Sequence, residues 1–160
     1  MTYSVAESRR IAAPAVTLWS MVADLARMGE WSPENKGGRW VRGDGPVVGA
    51  LFRGRNKSGI RRWSTTARVV DADPGKSFEI TVTFANFPVA NWRYEFEVVP
   101  EGCVVTESWR DNRSAWQRVV GRTMGDHSGA HARQQMAATL AKLASVAESD
   151  GQGGQPDPSG

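Results

Sequence analysis

From about Arg39 to Arg110 the chain alternates apolar and polar residues with period two, and the alternation is broken only at turn signals. Phe78, Ile80, Val82 and Phe84 interleave with Glu79, Thr81 and Thr83. Trp92, Tyr94, Phe96 and Val98 interleave with Arg93, Glu95 and Glu97. Period-two alternation describes strands with one buried face and one wet face. The turn signals are Gly43-Asp44-Gly45-Pro46, Lys57-Ser58-Gly59, Asp73-Pro74-Gly75-Lys76, Asn86-Phe87-Pro88 and Pro100-Glu101-Gly102. They divide the region into six strands of an antiparallel meander, and Tyr3 to Ile11 would add a seventh. Little helix is available to cover so much aromatic surface, and a curved sheet closed by so little helix can leave a hollow.

Two helices are expected. Pro14 suits the first turn of one that runs to about Arg27, with Leu18, Met21, Val22 and Leu25 on one face and Gly29 as the stop. A further helical turn is expected to begin at Pro33. The second helix runs from about Gly129 to Ala147 with Ala132, Met136, Leu140, Leu143 and Ala147 as its apolar stripe. Asn112 to Ser128 is irregular. Residues 149–160 hold no apolar side chain and read as a disordered tail, leaving residues 1–148 as one domain.

Bulk properties narrow the class. The chain has 160 residues, 40% of them hydrophobic and 23% charged, the balance of a soluble globular protein. No apolar run approaches the ~18 residues of a membrane span, so no integral membrane association is expected. Met1 to Arg10 is polar, and the expectation is a cytoplasmic protein. One cysteine, Cys103, excludes an internal disulfide and a multi-cysteine metal site. A net charge of +3 permits an anionic partner without demanding one.

Turns in a meander fall alternately at its two ends. The connections Trp31–Gly38, Asn56–Ile60, Ala85–Ala90 and Asn112–Ser128 share one end, and they are the longer and more aromatic set. Function concentrates on such loops, so the mouth of any cavity belongs there. Strand parity supplies the lining: Phe52, Asn56, Trp63, Phe84, Trp92, Tyr94, Glu107 and Trp109, roofed by Met136 and Leu140, with Trp31 at the mouth. Large aromatics with a few polar groups build small-molecule pockets, and the same rings can equally fill a core. In the last strand, Cys103, Val105 and Trp109 are the more apolar set and carry Glu107 inward. A one-residue slip would bury Val104, Thr106 and Ser108 instead. Among those rings the Glu107 carboxyl would be desolvated, its pKa would rise, and it could serve as a general acid or base. The competing role is a structural hydrogen bond to Asn56, Tyr94 or an arginine.

Three other clusters are weighed. His127 and His131 have metal-compatible spacing, but His131 lies about 140° around the helix from Met136 and no third ligand is evident, so no metal is assigned. Arg53, Arg55, Lys57, Arg61, Arg62 and Arg68 could suit nucleic acid. The preferred reading is a solvated face paired with Glu79, Glu95 and Glu97, so no nucleic-acid partner is assigned. Trp116, Val119, Val120 and Met124, mixed with arginines, form either a lid or packing loop or a basic segment that leans on a membrane surface.

Several segments together resemble a known superfamily: Ile11-Ala12-Ala13-Pro14-Ala15 with Leu18-Trp19 and Val22-Ala23-Asp24-Leu25, then Trp31-Ser32-Pro33, Gly49-Ala50-Leu51-Phe52-Arg53-Gly54 and Val105-Thr106-Glu107. From Tyr3 to about Val146 the chain is similar to the START / polyketide-cyclase-like superfamily (SRPBCC, the helix-grip fold). The resemblance implies an α+β fold in which a seven-stranded antiparallel sheet wraps a long C-terminal helix around an internal cavity. The superfamily uses that cavity for lipid carriage, hormone sensing, polyketide cyclisation and ring hydroxylation, so fold alone does not choose among them. The iron-binding His/His/Asp set of the oxygenase branch is absent, and no cofactor is expected. The expected function is binding of a hydrophobic or aromatic small molecule, of lipid or polyketide type. The alternatives are a polyketide cyclase/dehydrase with Glu107 assisting enolisation or water loss, and an interaction domain using the sheet's outer face.

Overall fold

A computed structural model of the chain describes residues 4–122 and 128–152. β1 (Val5–Ile11) is followed by α1 (Ala15–Ala23) and a 3₁₀ segment, Leu25–Glu30. The meander is β2 (Asn35–Arg42), β3 (Leu51–Ser58), β4 (Arg61–Asp73), β5 (Ser77–Phe84), β6 (Phe87–Val99) and β7 (Gly102–Asp111). A short helix α2 (Ala115–Gly121) and a long helix α3 (Gly129–Gln152) complete the described chain. The seven strands form one antiparallel sheet in the order β1-β7-β6-β5-β4-β3-β2. This is the expected helix-grip arrangement. Sequential strands are neighbours, and β1 closes on β7 from the far end of the chain.

The helices depart from expectation at their ends. α1 stops at Ala23 rather than near Arg27, because Asp24 leaves helical geometry (φ −79°, ψ 80°) and the chain tightens into the 3₁₀ turn. Pro14 is the extended residue before α1 rather than part of its first turn. No helical turn starts at Pro33; β2 begins at Asn35. The stretch after Asp111 is not wholly irregular, since α2 forms there behind a capping box of Ser114 and Gln117. α3 runs on to Gln152, so residues 149–152 are helical rather than part of the expected tail. His127, Met124 and residues 153–160 lie outside the described residues.

The stripe of α3 is as expected: Ala132, Met136, Leu140, Leu143 and Ala147 are all buried. α3 lies along β1, while α1 covers β5 and β6. Trp19 ties α1 down by donating its indole N–H to the Ser77 carbonyl at 2.8 Å. The apolar interior falls into two clusters. The larger contains Leu18, Val22, Phe52, Phe78, Tyr94 and Leu140. The smaller contains Val5, Ala90, Trp109, Ala132 and Met136. Trp92 packs against both.

Candidate functional site

The register of β6 and β7 builds the site. Tyr94 is paired with Glu107, and Trp92 with Trp109. The more apolar set on β7 faces inward: Cys103 and Val105 are fully buried, Trp109 is 7% exposed and Glu107 only 2%. Glu107 is therefore carried inside by its neighbours at i±2, the period-two rule acting on a charged residue. Val105 belongs to the larger apolar cluster and Trp109 to the smaller, so the carboxyl between them lies at the seam of the two.

The chemistry of that seam is specific. The Tyr94 hydroxyl donates to Glu107 Oε1 at 2.7 Å. The other oxygen, Oε2, is buried and has no hydrogen-bond partner among the described residues. Burial pushes the Glu107 pKa up to about 8, with the Tyr94 hydrogen bond only partly resisting. Burial, and secondarily the neighbouring carboxyl, raises the Tyr94 pKa well above its usual value. At neutral pH Glu107 is thus mostly the neutral acid. Tyr94 donates to Oε1, which leaves the unpartnered Oε2 as the oxygen able to carry the acid proton toward an acceptor. A buried O–H without an acceptor is costly and awaits one. The rings of Trp92 and Trp109 lie nearby in the register, 6.4 Å apart and tilted by 54°. Across the sheet, Glu107 is paired with Glu7 of β1. Glu7 turns to Arg133 of α3, with its oxygen 3.5 Å from the guanidinium.

The structure brings together Trp92, Tyr94, Glu107 and Trp109 on adjacent strands. Met136 joins Trp109 in the smaller cluster, and Leu140 and Phe52 join Tyr94 in the larger. Four expected lining residues are placed differently. Phe84 is 45% exposed at the last position of β5. Trp31 is not at a mouth. It is 2% exposed inside the larger cluster, its indole N–H unpartnered and the Arg27 guanidinium 5.5 Å from its ring centroid. Asn56 and Trp63 are paired across β3 and β4 and only half buried. The Asn56 amide donates to Thr65 Oγ1 at 3.1 Å. Both line a groove of about 460 Å³ whose other walls include Lys36, Arg55, Lys57 and Arg62, so their surroundings are basic rather than apolar.

Two inward residues escaped the sequence reading. Trp40 stands edge-on to Phe52, ring centroids 5.3 Å apart. Its position between Arg39 and Val41 was the available signal. Glu7 gave none, since β1 lacks clean alternation. On the outer face, Glu79 and Glu95 do not neutralise the β3–β4 cations as expected. Both are engaged by Arg93, at 3.0 and 3.4 Å. His131 contacts Glu34 Oε1 through Nε2 at 3.3 Å.

With the geometry in place, comparison with known proteins gives a consistent picture. Residues 2–148 match the family model described as polyketide cyclase / dehydrase and lipid transport. A polyketide-cyclase-like protein from Corynebacterium glutamicum is 33% identical, with 96% of each chain covered and a TM-score of 0.60. A protein from Chromobacterium violaceum superposes with a TM-score of 0.71 at 14% identity, covering 96% of this chain and 97% of that one. The di-domain ARO/CYC StfQ of the steffimycin biosynthetic pathway superposes with a TM-score of 0.69 at 14% identity, over 93% of this chain and 46% of its own. No curated protein matches in sequence.

Proposed function

The chain belongs to the polyketide cyclase / dehydrase and lipid transport family, and we propose that it binds a hydrophobic small molecule bearing a carbonyl or similar acceptor oxygen. The ligand lies against the inner face of β6 and β7, beside Trp92 and Trp109, and accepts a hydrogen bond from Glu107. The observation that carries this reading is the buried, unpartnered Oε2 of Glu107 beside Tyr94. An apolar ligand gains from burial against the rings, and its acceptor oxygen satisfies a buried polar atom that the described residues leave without a partner. Trp31 Nε1, the other buried unpartnered side-chain atom among the described residues, offers a second donor. Phe52, Met136 and Leu140 supply the apolar wall.

Native mass spectrometry of the protein as purified tests this. A bound organic molecule that Glu107→Leu releases and Glu107→Gln retains is the expected result, because glutamine keeps a donor at the same place. Retention by both variants would remove Glu107 from the binding role.

The neutral acid also favours a second reading, a cyclase acting on a poly-ketone. A hydrogen bond from Oε2 to a ketone oxygen stabilises the enol or enolate that precedes ring closure, and contact with the surrounding rings restricts the chain to productive folds. Turnover of a synthetic poly-ketone with loss of activity in Glu107→Gln separates this from carriage. The family description, polyketide cyclase / dehydrase and lipid transport, is compatible with both readings.

A further inference from the structure

α2 buries none of its side chains. Trp116, Val119 and Val120 have the i, i+3, i+4 spacing that puts them on one helical face. A helix ordinarily turns such a face to a core, yet here the three are 58%, 64% and 54% exposed. The strand side extends the patch. Phe87 meets Trp116 edge-on with centroids 5.7 Å apart, is itself 49% exposed, and is paired with the exposed Phe84 across the β5–β6 turn. The patch is held in place: Gln117 donates its amide to the Pro88 carbonyl at 3.0 Å. It is a fixed apolar surface directed at solvent.

The same end of the sheet is cationic. β7 ends, β6 begins, β5 ends, β4 begins and β3 ends there, which follows from the antiparallel order. The β3–β4 hairpin carries a fully exposed Ile60 beside Lys57, Arg61 and Arg62. Lys36, Arg55, Lys57 and Arg62 line the basic groove next to Trp63. None of these five cations has an ion-pair partner among the described residues. The acids of this end are already engaged, Glu34 with His131 and Asp111 with Arg113 and Arg118.

An exposed tryptophan-centred apolar face flanked by unneutralised cations is what an anionic bilayer surface selects. Indole rings favour the headgroup level, the apolar face enters the acyl boundary, and each nearby cation adds attraction to acidic lipid. A second copy of this chain fits less well, because the same cations would face each other. We propose that this end of the molecule docks on a membrane surface containing acidic phospholipid, with Trp116, Val119 and Phe87 entering the interface and the β3–β4 cations meeting headgroup phosphates. The docking surface is distinct from the Glu107 site, so either can fail without the other.

Flotation of the full chain with vesicles tests the proposal, using phosphatidylcholine alone and phosphatidylcholine with about one-third phosphatidylglycerol. Binding is expected to the anionic vesicles and to be roughly tenfold or more weaker on the neutral ones, and to fall as salt rises toward about 0.5 M. Trp116→Ser with Val119→Ser should lower partitioning roughly tenfold. Arg61→Glu with Arg62→Glu, on a solvent-exposed hairpin, should do likewise and does not depend on α2 staying folded. Near-ultraviolet circular dichroism checks that each variant keeps native packing. No binding to either vesicle, equal binding to both, or binding untouched by both variants overturns the proposal. So does a dimer in sedimentation velocity that the Trp116→Ser/Val119→Ser variant abolishes, since the patch would then be covered by a second copy.

Discussion

Tyr94 donates its hydroxyl proton to Glu107 Oε1 at 2.7 Å, and both side chains are buried. The pair places a neutral carboxylic acid inside an aromatic wall. Stability should therefore depend on pH in a definite direction. The folded pKa, about 8, lies above the ordinary value of 4.5, so between those limits the folded state holds more protons than the unfolded one. The stability contributed by the neutral acid is present in full below the unfolded pKa, declines as pH rises, and is gone above about pH 8. The loss between pH 5 and 7 should be on the order of 2 kcal/mol from this group. Thermal melts of the wild type and of Glu107→Gln across that range check it. The variant should lack this slope and gain on the wild type as pH rises, and parallel curves would refute the assignment.

Tyr94→Phe should raise the Glu107 pKa further, because the hydroxyl is the one group that opposes the effect of burial. It also leaves Oε1, like Oε2, without a hydrogen-bond partner among the described residues, at a cost of about 1–3 kcal/mol. The carboxylic C=O stretch followed by infrared titration reads the shift directly. An unchanged or lowered midpoint would show that Tyr94 is not the controlling partner.

The inward placement of Glu107 was legible because Cys103, Val105 and Trp109 fix the parity of β7, and a sheet buried on one face admits no half-measure in register. The positions of Phe84 and Trp31 were not. Period two assigns Phe84 a face, but whether that face is covered depends on where a helix lies, which is a tertiary matter. Trp31 reads as a loop aromatic in sequence; the break of α1 at Asp24 and the 3₁₀ turn fold it back into the core. The Glu107–Glu7 pairing was equally hidden, since it joins strands from opposite ends of the chain. Alternation tells which side a residue takes and is silent about its long-range neighbour.

Met136→Ala should cost about 2–5 kcal/mol. Met136 is fully buried and packs with Trp109 and Val5 in the smaller cluster, where few side chains can move to fill the space. Chemical denaturation measures this. The same substitution enlarges the apolar wall near Trp109, so affinity for a hydrophobic dye such as anilinonaphthalene sulfonate should rise while stability falls.

Gly102→Ala should be more harmful than its hairpin position suggests. A Cβ there would lie 2.3 Å from the Ile11 carbonyl oxygen, backbone that cannot swing aside. β1 would have to part from β7 at the Ile11–Cys103 pairing. A loss of about 2 kcal/mol or more is expected, with hydrogen exchange rising first in β1. Protection of β1 unchanged from wild type would show that the strands have slack at this point.

Asp111 holds α2 to the end of β7, and its removal should free the helix without unfolding the sheet. Oδ1 accepts both the Arg113 backbone N–H at 3.0 Å and its Nε at 2.9 Å, while Oδ2 accepts a second guanidinium N–H at 2.9 Å. Burial opposes ionisation here, but these hydrogen bonds outweigh it and hold the carboxyl below its usual range. The tether is therefore intact above the ordinary aspartate pKa and is lost as pH falls through the depressed folded value. Asp111→Asn cannot reproduce the two-oxygen clamp on the guanidinium. α2 buries no side chain, and the Ser114–Gln117 box, the Gln117–Pro88 bond and the Trp116–Phe87 contact share the work of holding it with Asp111. Amide exchange in residues 115–121 should accelerate at least tenfold, a loss of about 1.4 kcal/mol in local stability, while the global melting temperature moves little. If exchange in α2 is unchanged, the helix is held by its contacts with Phe87 and Pro88 and not by the carboxylate.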